Sequence, residues 1–141
     1  MIVAEYLGVE VSNTYDYDLI YHGAKIDVKT KECSGIPEEY YACSVKEPVI
    51  NKEGNKKYQN CSIYVFVRCK QKQGCESWLL GYMFRDEFLQ KAFKGEEGQV
   101  EDTPGGNKDI FVYRAACLNV LVKDLRKFKT VEFQGQRILT F

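Results

Sequence analysis

Two carboxylates and one amine are the residues of this chain whose types and spacing suit catalytic chemistry. Asp18 is followed nine residues later by the triplet Asp27-Val28-Lys29. Carboxylate oxygens are hard ligands that suit Mg²⁺, and a nearby ammonium can hold a water molecule or an anionic oxygen. The pattern therefore predicts a divalent-metal site, provided that the fold brings the two acids and the lysine together.

A hairpin is the element that would bring them together. Two short β-prone runs flank a turn at His22-Gly23, which is the pattern of two antiparallel strands. Side chains alternate between the two faces of a strand, so Asp27 and Lys29 share one face. Hairpin pairing then brings Asp18, where the first strand begins, beside Asp27.

This arrangement resembles the PD-(D/E)XK nuclease superfamily, in which an acid opens a hairpin and a (D/E)-x-K triplet lies on the next strand. Asp18 matches the first acid and residues 27–29 match the triplet, although Tyr17 stands where the family's name has proline. Members often carry a glutamate on a preceding helix, and Glu5 is the matching position here. The resemblance covers most of the chain, but its specific content rests on these residues.

The resemblance implies a function, a fold and a site. The function is divalent-metal-dependent hydrolysis of DNA phosphodiester bonds, as in an endonuclease. The fold is α/β (α+β), a restriction-endonuclease-like mixed central β-sheet flanked by helices, with residues 1–141 as a single domain. The implied ligands of Mg²⁺ (or Mn²⁺) are Asp18, Asp27, Glu5 and the backbone carbonyl of Val28. The implied catalytic residues are Asp18, Asp27, Lys29 and Glu5.

Each of these residues also has an ordinary structural interpretation. Asp18 can bond to backbone amides in the polar run before it, where Asp16 is a rival first acid. Asp27 and Lys29 can form the solvent face of an edge strand, where charges discourage edge pairing. As a catalytic residue, too, Lys29 is expected to be an exposed strand lysine that contributes little stability. Glu5 can be an exposed helix residue. The alternative functions are therefore a non-catalytic nucleic-acid- or protein-binding module on the same fold, and a structural protein with incidental acids.

Charge is distributed unevenly, although 20 Lys and Arg balance 20 Asp and Glu. Residues 1–44 hold three basic against eight acidic residues, whereas residues 45–141 hold seventeen against twelve. An acidic N-terminal part suits a metal site, and a basic remainder suits contact with the phosphates of DNA. The predicted DNA-binding residues are Lys52, Lys56 and Lys57. A solvated loop is the alternative for these lysines.

Length and composition bound the remaining possibilities. A chain of 141 residues with 45% hydrophobic and 28% charged residues is typical of one globular domain. No apolar run approaches the roughly 20 residues that span a bilayer, and no signal peptide is evident. We therefore expect a cytoplasmic protein without a membrane partner, and its oligomeric state stays open, a homodimer included. The six cysteines are expected to be mainly core residues, with a zinc site of Cys33, Cys43, Cys69 and Cys75 as the alternative.

Further elements follow from apolar periodicity and turn residues. We expect a helix over residues 2–9, a buried central strand over 62–69 and a neighbouring strand over 77–84. Asp86 is expected to cap a helix that runs to about Phe93. The predictions downstream are a surface loop over 95–108, a strand over 109–113, a helix over 119–128 and a final hairpin over 130–141.

Overall fold

The computed structural model describes residues 2–70, 76–98, 116–133 and 136–140. In chain order its elements are α1 (Ile2–Leu7), β1 (Leu19–Tyr21), β2 (Ala24–Cys33), β3 (Ala42–Lys46), β4 (Val49–Ile50), β5 (Lys56–Lys57), β6 (Ile63–Lys70), β7 (Ser77–Phe84), α2 (Arg85–Lys91), β8 (Phe93–Gly95), β9 (Cys117–Leu121), a 3₁₀ turn (Val122–Asp124), β10 (Lys129–Phe133) and β11 (Gln136–Thr140). The described part of the chain is mixed α+β and mostly sheet. At this level the predicted fold class is confirmed.

The predicted N-terminal hairpin is present as β1 and β2. Its two connecting residues, His22 and Gly23, have φ angles of 49° and 80°. Two successive positive φ angles are what a type I′ turn requires, and this turn matches the twist of the strands it joins. The turn sets the register of the hairpin, with Leu19 opposite Ile26.

A four-stranded sheet in the order β1-β2-β6-β7 forms the centre of the fold. Strands β2 and β6 are parallel, and the other two pairings are antiparallel. Residues 63–68 of β6 are all buried, because a β-branched and aromatic strand between two neighbours has no solvent face. The parallel pairing requires residues 34–62 to cross over from the end of β2 to the start of β6.

The two helices cover opposite faces of this sheet. On one face, Val3 of α1 packs in a buried cluster with Leu19 and Ile26. On the other face, Phe88 of α2 packs against Tyr64, with ring centroids 5.2 Å apart in an edge-to-face arrangement. In the described part of the chain the central sheet is therefore mixed, with one helix packed on each face.

A second sheet in the order β3-β9-β8 corrects one prediction. The helix predicted over residues 119–128 is wrong, because this segment begins with β9 and continues into the 3₁₀ turn. The spacing of Val120, Val122 and Leu125 suits a helix as well as a strand, and pairing with β3 decides between them. Asn119 supports the strand, since its buried Oδ1 accepts the Ser44 hydroxyl of β3 over 2.6 Å.

Helix α2 differs from its prediction at both ends. Phe84 holds the N-cap position and no side chain caps the helix, whereas Asp86 lies in the first turn. There its negative charge interacts favourably with the helix dipole. At the other end, Phe93 begins β8 and is exposed instead of facing the core.

The C-terminal hairpin is confirmed as β10 paired antiparallel with β11. The predicted strand over residues 109–113, most of the predicted loop over 95–108 and the residue Cys75 lie outside the described residues. Among the described residues, no helix is long and apolar enough to cross a membrane.

Candidate active site

The two acids meet at the open end of the β1–β2 hairpin. Leu19 pairs with Ile26, so the next residues outward, Asp18 and Asp27, stand opposite each other. The N–H of Asp18 donates to the Ile26 carbonyl over 2.8 Å, and Oδ2 of Asp18 accepts the N–H of Val28 over 2.7 Å. The Asp18 carboxylate thus continues the hydrogen bonding of the hairpin at the residue before β1 begins. Its other oxygen, Oδ1, is not part of this bond.

Asp27 is a buried carboxylate, only 4% exposed. Burial raises its pKa above the ordinary value, because desolvation disfavours the charged form. Pairing with Lys29 opposes this rise, the negative charge of Asp18 adds to it, and a hydrogen bond from Gln59 opposes it. A buried acid whose pKa is set by specific charged neighbours is typical of functional sites.

Lys29 supplies the positive charge beside this carboxylate. Its Nζ lies 2.7 Å from Oδ2 of Asp27, and its side chain is 27% exposed. Val28, between them in sequence, packs against the cluster on the opposite face of the sheet. The alternation predicted from sequence is therefore present. The expectation that Lys29 is an exposed residue of little structural weight needs revision, because it compensates a buried charge.

Gln59, which precedes β6, connects the acid pair to the loop before β1. Its amide nitrogen donates to Oδ1 of Asp27 over 3.3 Å and to the backbone carbonyl of Tyr15 over 2.9 Å. Asp16 serves the same junction, since its carboxylate accepts the N–H of Asn60 over 3.1 Å. Asp16 therefore fastens a loop to the start of the central strand and is not opposite Asp27.

The donor set around Asp27 suits a hard divalent cation. Oδ2 of Asp27 is buried, and its partner among the described residues is the Lys29 ammonium at 2.7 Å. A buried carboxylate requires a compensating cation, a role that Lys29 fills here and that a divalent ion can also fill. Asp18 has one oxygen outside its bond to Val28. These oxygens fit Mg²⁺ or Mn²⁺ chemically.

Glu5 is not brought into this pair. It is exposed on α1, and its charge is not among those that shift the pKa of Asp27. Within the described ranges, no three histidine, cysteine, aspartate or glutamate side chains form a metal-binding group. The same finding bears on the alternative zinc site, because its described members, Cys33, Cys43 and Cys69, do not form a cluster.

An open cleft adjoins the acid pair. It has a volume of about 240 Å³. Its wall includes Lys29, which forms an ion pair with Asp27, and Gln59, which donates a hydrogen bond to Asp27. Other wall residues come from the loop before β1, from β3 and from the β4–β5 region: Tyr15, Lys46, Lys57 and Tyr58.

The three lysines predicted to bind DNA lie together on the crossover between β2 and β6. Lys52, Lys56 and Lys57 are all exposed. Lys57 lines the cleft, with its Nζ 6.0 Å from the centroid of the Tyr15 ring. Lys52 and Lys56 are outside the cleft wall.

The cleft wall includes polar and aromatic residues that were not among the predicted site residues, and three of them are Tyr15, Lys46 and Tyr58. Tyr15 and Tyr58 are exposed aromatic residues within polar segments, which is the sequence signal that marks them. Lys46 ends a short apolar strand, and only the pairing of β3 with β9 shows where it lies.

Comparison of the chain with protein-family models, with curated proteins and with solved structures finds no match.

Proposed function

We propose that this protein is a divalent-metal-dependent nuclease that hydrolyses DNA phosphodiester bonds. The observation that carries the proposal is the convergence of Asp18, Asp27 and Lys29 at one end of a hairpin, beside a cleft with further lysines. An acid opening a hairpin and a D-x-K triplet on its second strand resemble the PD-(D/E)XK superfamily. The helix-flanked mixed sheet is compatible with a restriction-endonuclease-like fold, which is part of the same proposal.

The acids would hold the metal ion. Asp18 and Asp27 supply carboxylate oxygens, and the backbone carbonyl of Val28 is a further candidate ligand. When bound, Mg²⁺ or Mn²⁺ would polarise a phosphoryl oxygen and lower the pKa of water. Glu5 is not needed for this minimal site, and its role as a further ligand stays a prediction.

Lys29 changes partner in this proposal. Its ammonium neutralises Asp27 at 2.7 Å while its side chain also lines the cleft. A cation on the Asp27 carboxylate removes the need for that neutralisation, so Lys29 can turn towards a phosphate oxygen or a water molecule in the cleft. A fixed positive charge at that place stabilises the negative charge that develops during phosphodiester hydrolysis.

Gln59 acts as a positioning residue. Its bonds to Oδ1 of Asp27 and to the Tyr15 carbonyl hold the carboxylate in one orientation. The exposed lysines supply the attraction for the phosphates of DNA, which the acids would otherwise repel. Lys57 and Lys46 line the cleft, and Lys52 and Lys56 belong to the same crossover.

The test is cleavage of plasmid, linear duplex and single-stranded DNA with Mg²⁺ or Mn²⁺. We expect cleavage by the wild-type protein, loss of cleavage in Asp27→Asn and Lys29→Met, and no effect of Asp86→Asn, an exposed acid on α2. EDTA should abolish the activity. No cleavage of any substrate with either metal would reject the nuclease proposal.

One observation favours the second candidate, a non-catalytic nucleic-acid- or protein-binding module. Lys29 and Gln59 already contact Asp27, so these residues can stabilise the hairpin without any reaction. Binding of DNA that persists in Asp27→Asn, together with the absence of cleavage, would support this candidate. A cytoplasmic location stays a prediction under either function.

A further inference from the structure

Two exposed tyrosine rings stand at the cleft beside the acid pair. Tyr15 is 66% exposed and Tyr58 is 40% exposed, and both line the cleft. Exposed aromatic faces in a concave wall offer a stacking surface for a planar group. The neighbouring wall residue Gln59 donates to both the Tyr15 backbone carbonyl and Asp27, so it links the Tyr15 backbone to the acid pair.

The charges of the described cleft wall that are not in ion pairs are positive. Lys29 is paired with Asp27. Among the described wall residues the one acid is Glu47, which lies 3.6 Å from Lys94 outside the wall. Lys46 and Lys57 are then left as positive charges. Among the described residues Lys46 has no ion pair, and Lys57 contacts the Tyr15 ring.

Aromatic stacking surfaces and lysines that have no ion pair among the described residues together match one class of ligand, which has planar bases and phosphates at short intervals. We propose that the cleft binds an unpaired nucleotide, with its base on Tyr15 or Tyr58 and its phosphates at Lys46 and Lys57. The substrate is therefore a single-stranded polynucleotide. This inference rests on the proposed function, because it names the substrate class of the same site.

Duplex DNA does not use these features in the same way. Bases within a duplex are stacked on each other, and their faces are closed to a protein ring. A cleft of about 240 Å³ has room for a single base, whereas a duplex has to lie across its mouth. Aromatic stacking therefore contributes to binding only where the base is unpaired.

The test measures binding without metal, so that cleavage does not interfere. Labelled dT and rU oligomers, a duplex of equal length and an oligomer of abasic deoxyribose phosphates are titrated in EDTA and followed by fluorescence anisotropy. The variants are Tyr15→Leu with Tyr58→Leu, and as a control Tyr6→Leu, which removes an exposed tyrosine of α1 away from the cleft wall.

We expect the double variant to weaken dT or rU binding by about tenfold or more, and the Tyr6 variant to stay within about twofold of wild type. Affinity for the abasic oligomer should be the same in the double variant as in wild type, because it has no base to stack. The comparison of dT with rU identifies the sugar. Equal affinity for duplex and dT, or dT and rU binding unchanged in the double variant, would overturn the inference.

The inference and the proposed function fail separately. Metal-dependent cleavage of duplex DNA, with no preference for single strands, would leave the nuclease standing and reject the unpaired-nucleotide site. Tyrosine-dependent dT binding without cleavage would reject the nuclease and keep the site.

Discussion

The Lys29 ammonium lies 2.7 Å from Oδ2 of Asp27, its neighbour on the same face of β2. Alternation along a strand places residues i and i+2 side by side, so the buried carboxylate is neutralised from within its own strand. The pair belongs to the local geometry of the hairpin and needs no distant partner. Its energetics can therefore be measured by substitutions at two positions.

Replacing Lys29 should destabilise the protein. Lys29→Met leaves Asp27 buried without its cation, and we expect the free energy of unfolding to fall by about 1–3 kcal/mol at pH 7. Lys29→Met combined with Asp27→Asn should recover part of this loss, since no buried charge remains. Urea denaturation of the four proteins of this cycle gives the coupling energy. Additive effects of the two substitutions would contradict the pairing.

The stability contribution of Asp27 should fall as the pH rises. Because its pKa is raised in the folded state, the folded protein binds more protons than the unfolded chain above pH 3.8, the ordinary value. The contribution is full below that pH and is lost as the pH rises through the folded-state pKa. The free energy of unfolding of wild type minus that of Asp27→Asn should therefore decrease between pH 3 and pH 7. A difference that increases over this range would show that the pKa of Asp27 is lowered.

Metal ions should raise the melting temperature through the acid pair. A ligand present at 100 times its Kd stabilises the folded state by about 2.7 kcal/mol. We expect Mn²⁺ to raise the Tm of wild type and not that of Asp18→Asn or Asp27→Asn. The increment is compared within each variant, since the substitutions themselves change stability.

Glu5→Gln is the informative control for this titration. Glu5 is exposed on α1 and outside the acid pair, so its variant should keep the Mn²⁺ increment. Loss of the increment in Glu5→Gln would give Glu5 the ligand role that the family resemblance implies.

Lys57, one of the lysines in the cleft wall, should contribute to the salt dependence of DNA binding. Lys57→Ala removes a positive charge at the cleft, and each lost phosphate contact should reduce the log–log salt slope by roughly 0.7–0.9. Lys123→Ala is the matched control, an exposed lysine of the 3₁₀ turn outside the cleft wall. Equal slopes in wild type and Lys57→Ala would place Lys57 on a solvated surface.

Gly81 of β7 should not tolerate a side chain. Its φ of 145° is rarely adopted by other residues, and an added Cβ would lie 2.5 Å from the Arg126 carbonyl oxygen and 3.0 Å from Cβ of Leu125. We expect Gly81→Ala to lower the free energy of unfolding by about 2–4 kcal/mol. Gly35→Ala, where a Cβ has open space and φ is ordinary, should be nearly neutral in the same thermal or urea denaturation.

Local patterns explain which elements are predictable from the sequence. The β1–β2 hairpin follows from a two-residue turn at His22-Gly23 between β-prone runs, and the buried β6 follows from a continuous apolar run. Their prediction needs only neighbours in the chain. The prediction of a helix over residues 119–128 is wrong because the spacing of Val120 and Leu125 suits a helix or a strand. The choice between them depends on pairing with residues 42–46.

The same distinction applies to the site. The convergence of Asp18 with Asp27 and Lys29 is predictable, because hairpin register and strand alternation are local rules. Gln59 and Tyr15 meet although they are 44 residues apart, and no local rule connects them. The cleft therefore cannot be predicted from the sequence, although charge alone singles out Lys57, an exposed lysine of its wall.

The parallel pairing of β2 with β6 has a consequence for the order in which the chain folds. A hairpin closes a two-residue loop and forms within about 1–10 μs, whereas pairing across residues 34–62 first has to overcome the entropy of closing a long loop. The two acids can come together in the early hairpin, but Gln59 and the cleft wall take their positions only when the long-range contacts form. The cleft can therefore bind a ligand only after β2 and β6 have paired, and this pairing of residues distant in sequence is the slow step of folding.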